Sequence, residues 1–167
     1  GSMSGESIRA ARDALGAAID RLSPADRFNL IRFSDQTESL FKVEQTATAT
    51  NRQIAQIFLD ETTPGGGTVM RPALRAALSG QAIEGRLRQI VFVTDGAVSN
   101  ETELFREIRQ SLGPNRLFTV GIGSAPNGYF MRRAAAAGRG SYVYIANSRL
   151  VQQQSLKLFA KLERPAL

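Results

Sequence analysis

The sequence contains no cysteine, no histidine and no tryptophan. Without cysteine there is no disulfide, no thiolate nucleophile and no thiolate zinc cluster. Without histidine there is no Ser-His-Asp triad and no imidazole ligand. Any metal must therefore be held by oxygen, which favours Mg²⁺, Ca²⁺ or Mn²⁺. No apolar run is long enough to cross a membrane, and no signal-peptide pattern is present. The absence of cysteine does not by itself set the compartment.

What is present describes a folded domain. The 167 residues are 43% apolar and 22% charged, which predicts one domain over 1–167 with a real core. The net charge is +6. Basic residues such as Arg9, Arg12, Arg21, Arg27 and Arg32 are spread rather than clustered. They read as a solvated basic surface, with attraction toward acidic partners as the functional reading. No nucleic-acid-binding motif accompanies the charge.

Periodicity places the elements. Ile8, Ala11, Leu15, Ala18, Ile19 and Leu22 recur at helical spacing. Arg27–Ser34 and Ser39–Glu44 read as strands, and Ile54, Ile57 and Phe58 mark a helix. "TPGGGT" is a loop feeding the helix "MRPALRAAL", where Pro72 fits only the first turn. "RQIVFVTDG", Arg88–Gly96, is the pattern of a central parallel strand covered on both faces. Asn100 with Glu103 resembles a capping box, opening a helix that buries Leu104, Phe105, Ile108 and Leu112. "RLFTVGIG" is a strand, Pro126 starts a helix stopped by Gly138, and "SYVYI" is the last strand. Val151, Leu158, Phe159 and Leu162 mark a closing helix. Alternating strand and helix predict a doubly wound, mostly parallel α/β sheet.

Ligands of such sheets bind at the carboxyl ends of the strands. Three places put oxygen donors there: Ser2 and Ser4 before the first helix, Thr68 after "PGGG", and Asp95 after the strongest strand. Hydroxyls and a carboxylate suit a hard cation that keeps some waters. Taken singly, Thr68 is a good helix N-cap and Asp95 a turn former. Gly65, Gly66 and Gly67 taken alone are a flexible loop. Their shared position at one sheet edge is what points to a site.

The stretches "PADRFNLIRFS", "PGGGTVMRPAL", "RQIVFVTDGAVSNE" and "RLFTVGIGSAPNGYFMRRAAAAGRGSYVYI" cover nearly the whole chain. In that order they resemble a von Willebrand factor A domain, in the branch of inter-alpha-trypsin inhibitor heavy chains and their bacterial relatives. The resemblance implies a three-layer α/β sandwich with a metal-ion-dependent adhesion site, written Asp-x-Ser-x-Ser, then Thr, then Asp. Thr68 and Asp95 match the last two. "GSMSGES" fits the continuation of the first motif and sets Ser2 on its second serine, with Ser4, Gly66, Gly67 and Gly96 in support. Gly1-Ser2 reads equally as a vector remnant. The motif's Asp and first Ser, and the first central strand, are absent from the chain.

The function implied is divalent-cation-dependent protein binding of the adhesion type. Mg²⁺, or Mn²⁺ or Ca²⁺, would leave an open position for an acidic side chain of a protein partner, and no enzymatic activity is expected. The alternatives are an Mg²⁺-dependent phosphoryl-transfer enzyme, which lacks its phosphate-loop lysine here, and a metal-free scaffold. The resemblance implies an extracytoplasmic or cell-surface place. Without the central strand, a homodimer through strand exchange or edge pairing is expected.

Overall fold

A computed structural model describes residues 5–34, 36–62, 70–79, 88–94, 101–113, 115–122 and 128–145, with Gln153, Gln154 and Lys157 helical beyond them. Five helices and seven strands are described: α1 (Gly5–Asp20), β1 (Arg27–Phe28), β2 (Ile31–Phe33), β3 (Thr37–Ser39), β4 (Gln45–Thr46), α2 (Ala49–Asp60), α3 (Met70–Leu78), β5 (Gln89–Thr94), α4 (Glu101–Ser111), β6 (Arg116–Ile122), α5 (Gly128–Ala137) and β7 (Arg139–Ile145). The expected alternation is present. The closing helix and the Asn100 cap lie outside the described residues, apart from that short helical piece.

β5, β6 and β7 form a parallel sheet in that order. Side chains alternate across a strand, so β6 divides the core into two layers. Phe118 and Val120 face one way, onto Ala10, Ala11 and Ala14 of α1. Leu117 faces the other way, onto Leu74 of α3, Leu104 of α4 and Met131 of α5. Helix, sheet and helix make three layers. The three alanines let α1 lie close on the sheet, while its Arg9, Asp13 and Asp20 stay exposed. Further along α1, Ile19 packs on Ala55 and Leu59 of α2, so α2 rests on α1 rather than on the sheet. Each large apolar side chain so buried contributes about 1.5–3 kcal/mol.

Two strand expectations are corrected. Arg27–Ser34 is not one strand, and most of Ser39–Glu44 is not a strand at all. Asn29 is the cause. Its Oδ1 accepts from the N–H groups of Leu30 at 2.8 Å and Phe41 at 3.0 Å, and its Nδ2 donates to Phe41 O at 2.9 Å. This amide imitates a backbone partner and takes the place of a ladder rung. The hairpin therefore pairs in two separate blocks, Arg27 with Thr46 and Phe28 with Gln45, then Ile31 with Ser39 through Phe33 with Thr37.

β5 is also corrected. It was expected to be a central strand covered on both faces. Both faces are covered, Ile90 and Phe92 by the core of α3, α4 and α5 and Val91 and Val93 by that of α1. Among the described residues, however, it is hydrogen-bonded on one edge only, to β6, and so is not central. Val91, Phe92 and Val93 are half-buried, whereas β6, flanked on both edges, buries Leu117, Phe118, Thr119 and Val120. β2 lies nearby, with Phe33 edge-on to Phe92 at 5.4 Å between ring centroids, but no described ladder joins them.

The spread arginines are likewise not all a solvated face. Arg12 donates to the carbonyl of Thr62, and Arg32 stacks on Phe58 at 4.2 Å while pairing with Glu38 at 2.5 Å.

Candidate metal centre

All three strands of the main sheet run parallel, so Thr94, Ile122 and Ile145 end on one side. α4 and α5 follow β5 and β6 in the chain and start from that side. This is the edge at which open α/β sheets bind ligands. Ser2, Ser4, Gly66, Gly67, Thr68, Asp95 and Gly96 lie outside the described residues. What is described is the framework on either side of them.

Thr94 is buried and in register with Gly121 of β6. The apolar stretch Ile90–Val93 drives this strand into the sheet, and Asp95 is the next residue in sequence. The described residues on either side of "PGGGT" are both held in place. On its near side, Thr62 donates its hydroxyl to Phe58 O at 3.0 Å, and its carbonyl takes the guanidinium of Arg12. On its far side Met70 opens α3 with its side chain in the core beside Leu104 and Phe130. α1 starts at Gly5, directly after Ser2 and Ser4. Two hydroxyls and a carboxylate are hard donors and fit Mg²⁺ or Mn²⁺ by chemistry. Among the described residues no group of three or more Asp, Glu, His or Cys stands close enough to hold a metal.

The helices around this edge are tied down by charge and by aromatic rings. Arg71 and Arg75 of α3 reach Glu107 of α4 at 3.6 and 3.2 Å, and Arg71 also reaches Glu103 at 3.3 Å. α5 is held to the sheet by Thr119, whose buried hydroxyl donates to Met131 O at 2.9 Å. Tyr142 of β7 has its phenol pushed above the usual 10.0 by burial, against the opposing charge of Arg132, with Tyr144 raising it further. Residues that the sequence reading passed over lie on α5. Tyr129 is 64% exposed, Arg133 stacks on it and on Phe105, and Arg132 lies over Tyr142. The signal was there in "YFMRR": an aromatic and an arginine four apart share a helix face.

A three-layer α/β sandwich whose parallel strands all end on one side describes a class of ligand-binding domains. The von Willebrand factor type A domain profile matches residues 1–144, and the chain belongs to that family. It is 30% identical, over its whole length, to a von Willebrand factor A domain-containing protein of Dictyostelium discoideum, of which it covers 19%. It is 28% identical over 99% of its length to human von Willebrand factor A domain-containing protein 5B1, of which it covers 14%. The chain thus spans about a fifth or less of the curated relatives it matches. Among solved structures, the von Willebrand factor type A protein from Catenulispora acidiphila superposes with a TM-score of 0.80 at 21% identity, over 92% of this chain and 38% of that one. Proximal thread matrix protein 1 of the mussel byssus, solved with a zinc-occupied MIDAS motif, superposes at 0.66 with 14% identity, over 90% of this chain and 40% of that one. These superpositions show the fold. The family is one of protein-interaction modules, many with such a metal site.

Proposed function

We propose that residues 1–167 are a single divalent-cation-dependent protein-binding module of the adhesion type, with Ser2, Thr68 and Asp95 as its metal donors. The observation that supports this most is β5, which runs parallel to β6 and ends at Thr94, one residue before Asp95. The zinc-bearing site of the mussel byssus protein supports a divalent cation in the same kind of site. A bound Mg²⁺ would supply an under-coordinated positive centre for a carboxylate of the partner. Asp95 would contribute charge, Ser2 and Thr68 neutral oxygens, and Gly66, Gly67 and Gly96 the close backbone approach, with Ser4 beside them. No covalent step is involved, and the chain is read as a binder rather than an enzyme. Calorimetric titration with Mg²⁺ and Mn²⁺ tests this. Asp95→Ala should abolish the affinity; unchanged affinity in that variant overturns the assignment.

The edge of β5 that carries no ladder among the described residues supports a second reading. We infer that it pairs with a strand from another copy, by exchange or by edge pairing. Half-exposed Val91, Phe92 and Val93 would then gain the cover that β6 already has. Light scattering over a range of concentrations should give a dimer; a monomer at every concentration overturns this reading.

A further inference from the structure

We propose that Tyr129, Arg133 and Arg132 on α5 form a docking surface for an acidic protein segment, one that binds it without a metal. α5 buries Phe130, Met131, Ala134 and Ala135, which leaves Tyr129, Arg132 and Arg133 on its outer side. The helix contains no acidic residue to neutralise its two arginines. The acids of α4 are engaged elsewhere: Glu103 and Glu107 pair with Arg71 and Arg75 on α3, and Glu101 has an interaction of its own. Among the described residues no carboxylate pairs with Arg132 or Arg133.

Both guanidinium groups are seated on aromatic rings instead. Arg133 lies 4.7 Å from the centroid of Phe105 and 5.5 Å from that of Tyr129, and its Nη1 donates to Tyr129 Oη at 3.4 Å. Arg132 lies 5.8 Å from the centroid of Tyr142. Stacking fixes the guanidinium plane and leaves most of its N–H donors unspent at the rim. Phe105 and Tyr142 both pack in or against the core, so the two platforms are rigid. A planar, pre-oriented fork suits a carboxylate, which it grips through two parallel hydrogen bonds. The ordering cost of an exposed arginine is already met within the free protein.

Tyr129 completes the surface. An exposed tyrosine beside an ordered arginine is the composition of an interface anchor. It stands at the start of α5, on the side of the sheet where β5 and β6 end. The net charge of +6 draws an acidic partner toward the whole molecule. Charge complementarity thus selects the occupant. A nucleic acid fits less well, because two cations make no backbone-tracking stripe. Arg133 also covers a face of Tyr129 that would otherwise be open to a stacked base.

The test is fluorescence anisotropy with a fluorescein-labelled peptide rich in Glu and Asp, on the full chain, in EDTA and again in Mg²⁺. The wild type should bind in EDTA. Tyr129→Ala and Arg133→Ala should each weaken binding about fivefold or more. Arg133→Lys keeps the charge but not the stacked plane, and should lose nearly as much. Arg109→Ala, an exposed arginine on α4, should change nothing. Full binding in Arg133→Lys, or an equal loss in Arg109→Ala, would reduce the effect to bulk charge and overturn the proposal. Tighter binding of a single-stranded oligonucleotide or of an anionic vesicle through the same residues would also overturn it. Binding that requires Mg²⁺, fails in Asp95→Ala and ignores Arg133→Ala would refute this surface while leaving the metal site standing. Matching melting temperatures across the variants establish that each is folded.

Discussion

Gly140 is where the sheet tolerates least. A Cβ added there would stand 1.9 Å from the carbonyl oxygen of Leu117 and 2.6 Å from its carbon. Both are backbone atoms of the neighbouring strand, so no side-chain rotation relieves the clash. The reason lies in the ladder. Leu117 of β6 is opposite Arg139, but Thr119 is opposite Tyr142, so β7 carries one extra residue between these pairs. That bulge presses the backbone of β7 against β6, and glycine is the residue that permits it. Gly140→Ala must push the strands apart by about 1 Å or more to reach ordinary contact. Overpacking of this kind costs about 1–3 kcal/mol, and each weakened rung adds about 1 kcal/mol. A total of about 2–5 kcal/mol corresponds to a fall of about 5–15 °C in Tm for a domain of this size. Thermal unfolding followed by circular dichroism measures it. Gly113→Ala is the companion: its φ is +60° and its surroundings are open, so it meets only the left-handed backbone cost of about 1–2 kcal/mol. If Gly140→Ala melts within 2 °C or so of the wild type, or above Gly113→Ala, the close-approach reasoning is wrong.

The remaining expectations concern the hairpin and the pH response. Asn29→Ala removes three hydrogen bonds, of which the two to the backbone of Phe41 join the two sides of the hairpin. It should cost about 1–3 kcal/mol in a denaturant titration, and Asn29→Asp should recover part of that, since it keeps the acceptor and loses the donor. The Tyr142 phenol is raised by burial, so its neutral form is favoured in the folded state. Its contribution is complete below the unfolded value and is lost as pH rises through the raised folded value. Melting temperatures taken from about pH 9 to 11 should therefore fall more steeply for the wild type than for Tyr142→Phe; parallel curves would rule this contribution out.

Much of the fold was legible because its signals are local and periodic. Ile90–Val93 and Leu117–Val120 are apolar on both faces, as parallel strands must be. α3, α4 and α5 carry apolar stripes. α5 does end just before Gly138, but the left-handed residue there is Arg139, at φ 57°. Gly138 is required instead by its close approach to Leu117, whose Cβ would lie 2.3 Å from an added Cβ. The break at Asn29 was not legible, because a side-chain amide replaces a ladder rung only once Phe41 has been brought opposite it. The close seat of α1 was half legible. Ala11 fell on the expected face, but Ala10 and Ala14, both buried, fill it because the sheet lies so near.

By itself the sequence determined the chemistry. A chain without Cys or His can hold a metal only through oxygen, which is what makes Ser2, Thr68 and Asp95 the proposed donors. It also determined the alternation of strand and helix from β5 to β7, since hydrophobic period depends on nearest neighbours along the chain. Tertiary structure alone decided which charges are spent and which are free. Arg12 and Arg71 look like Arg132 and Arg133 in sequence. Yet the first two meet a carbonyl and two carboxylates, and the last two meet rings. The partner of a long side chain is set by what another segment brings within a few ångströms, and no local pattern encodes that.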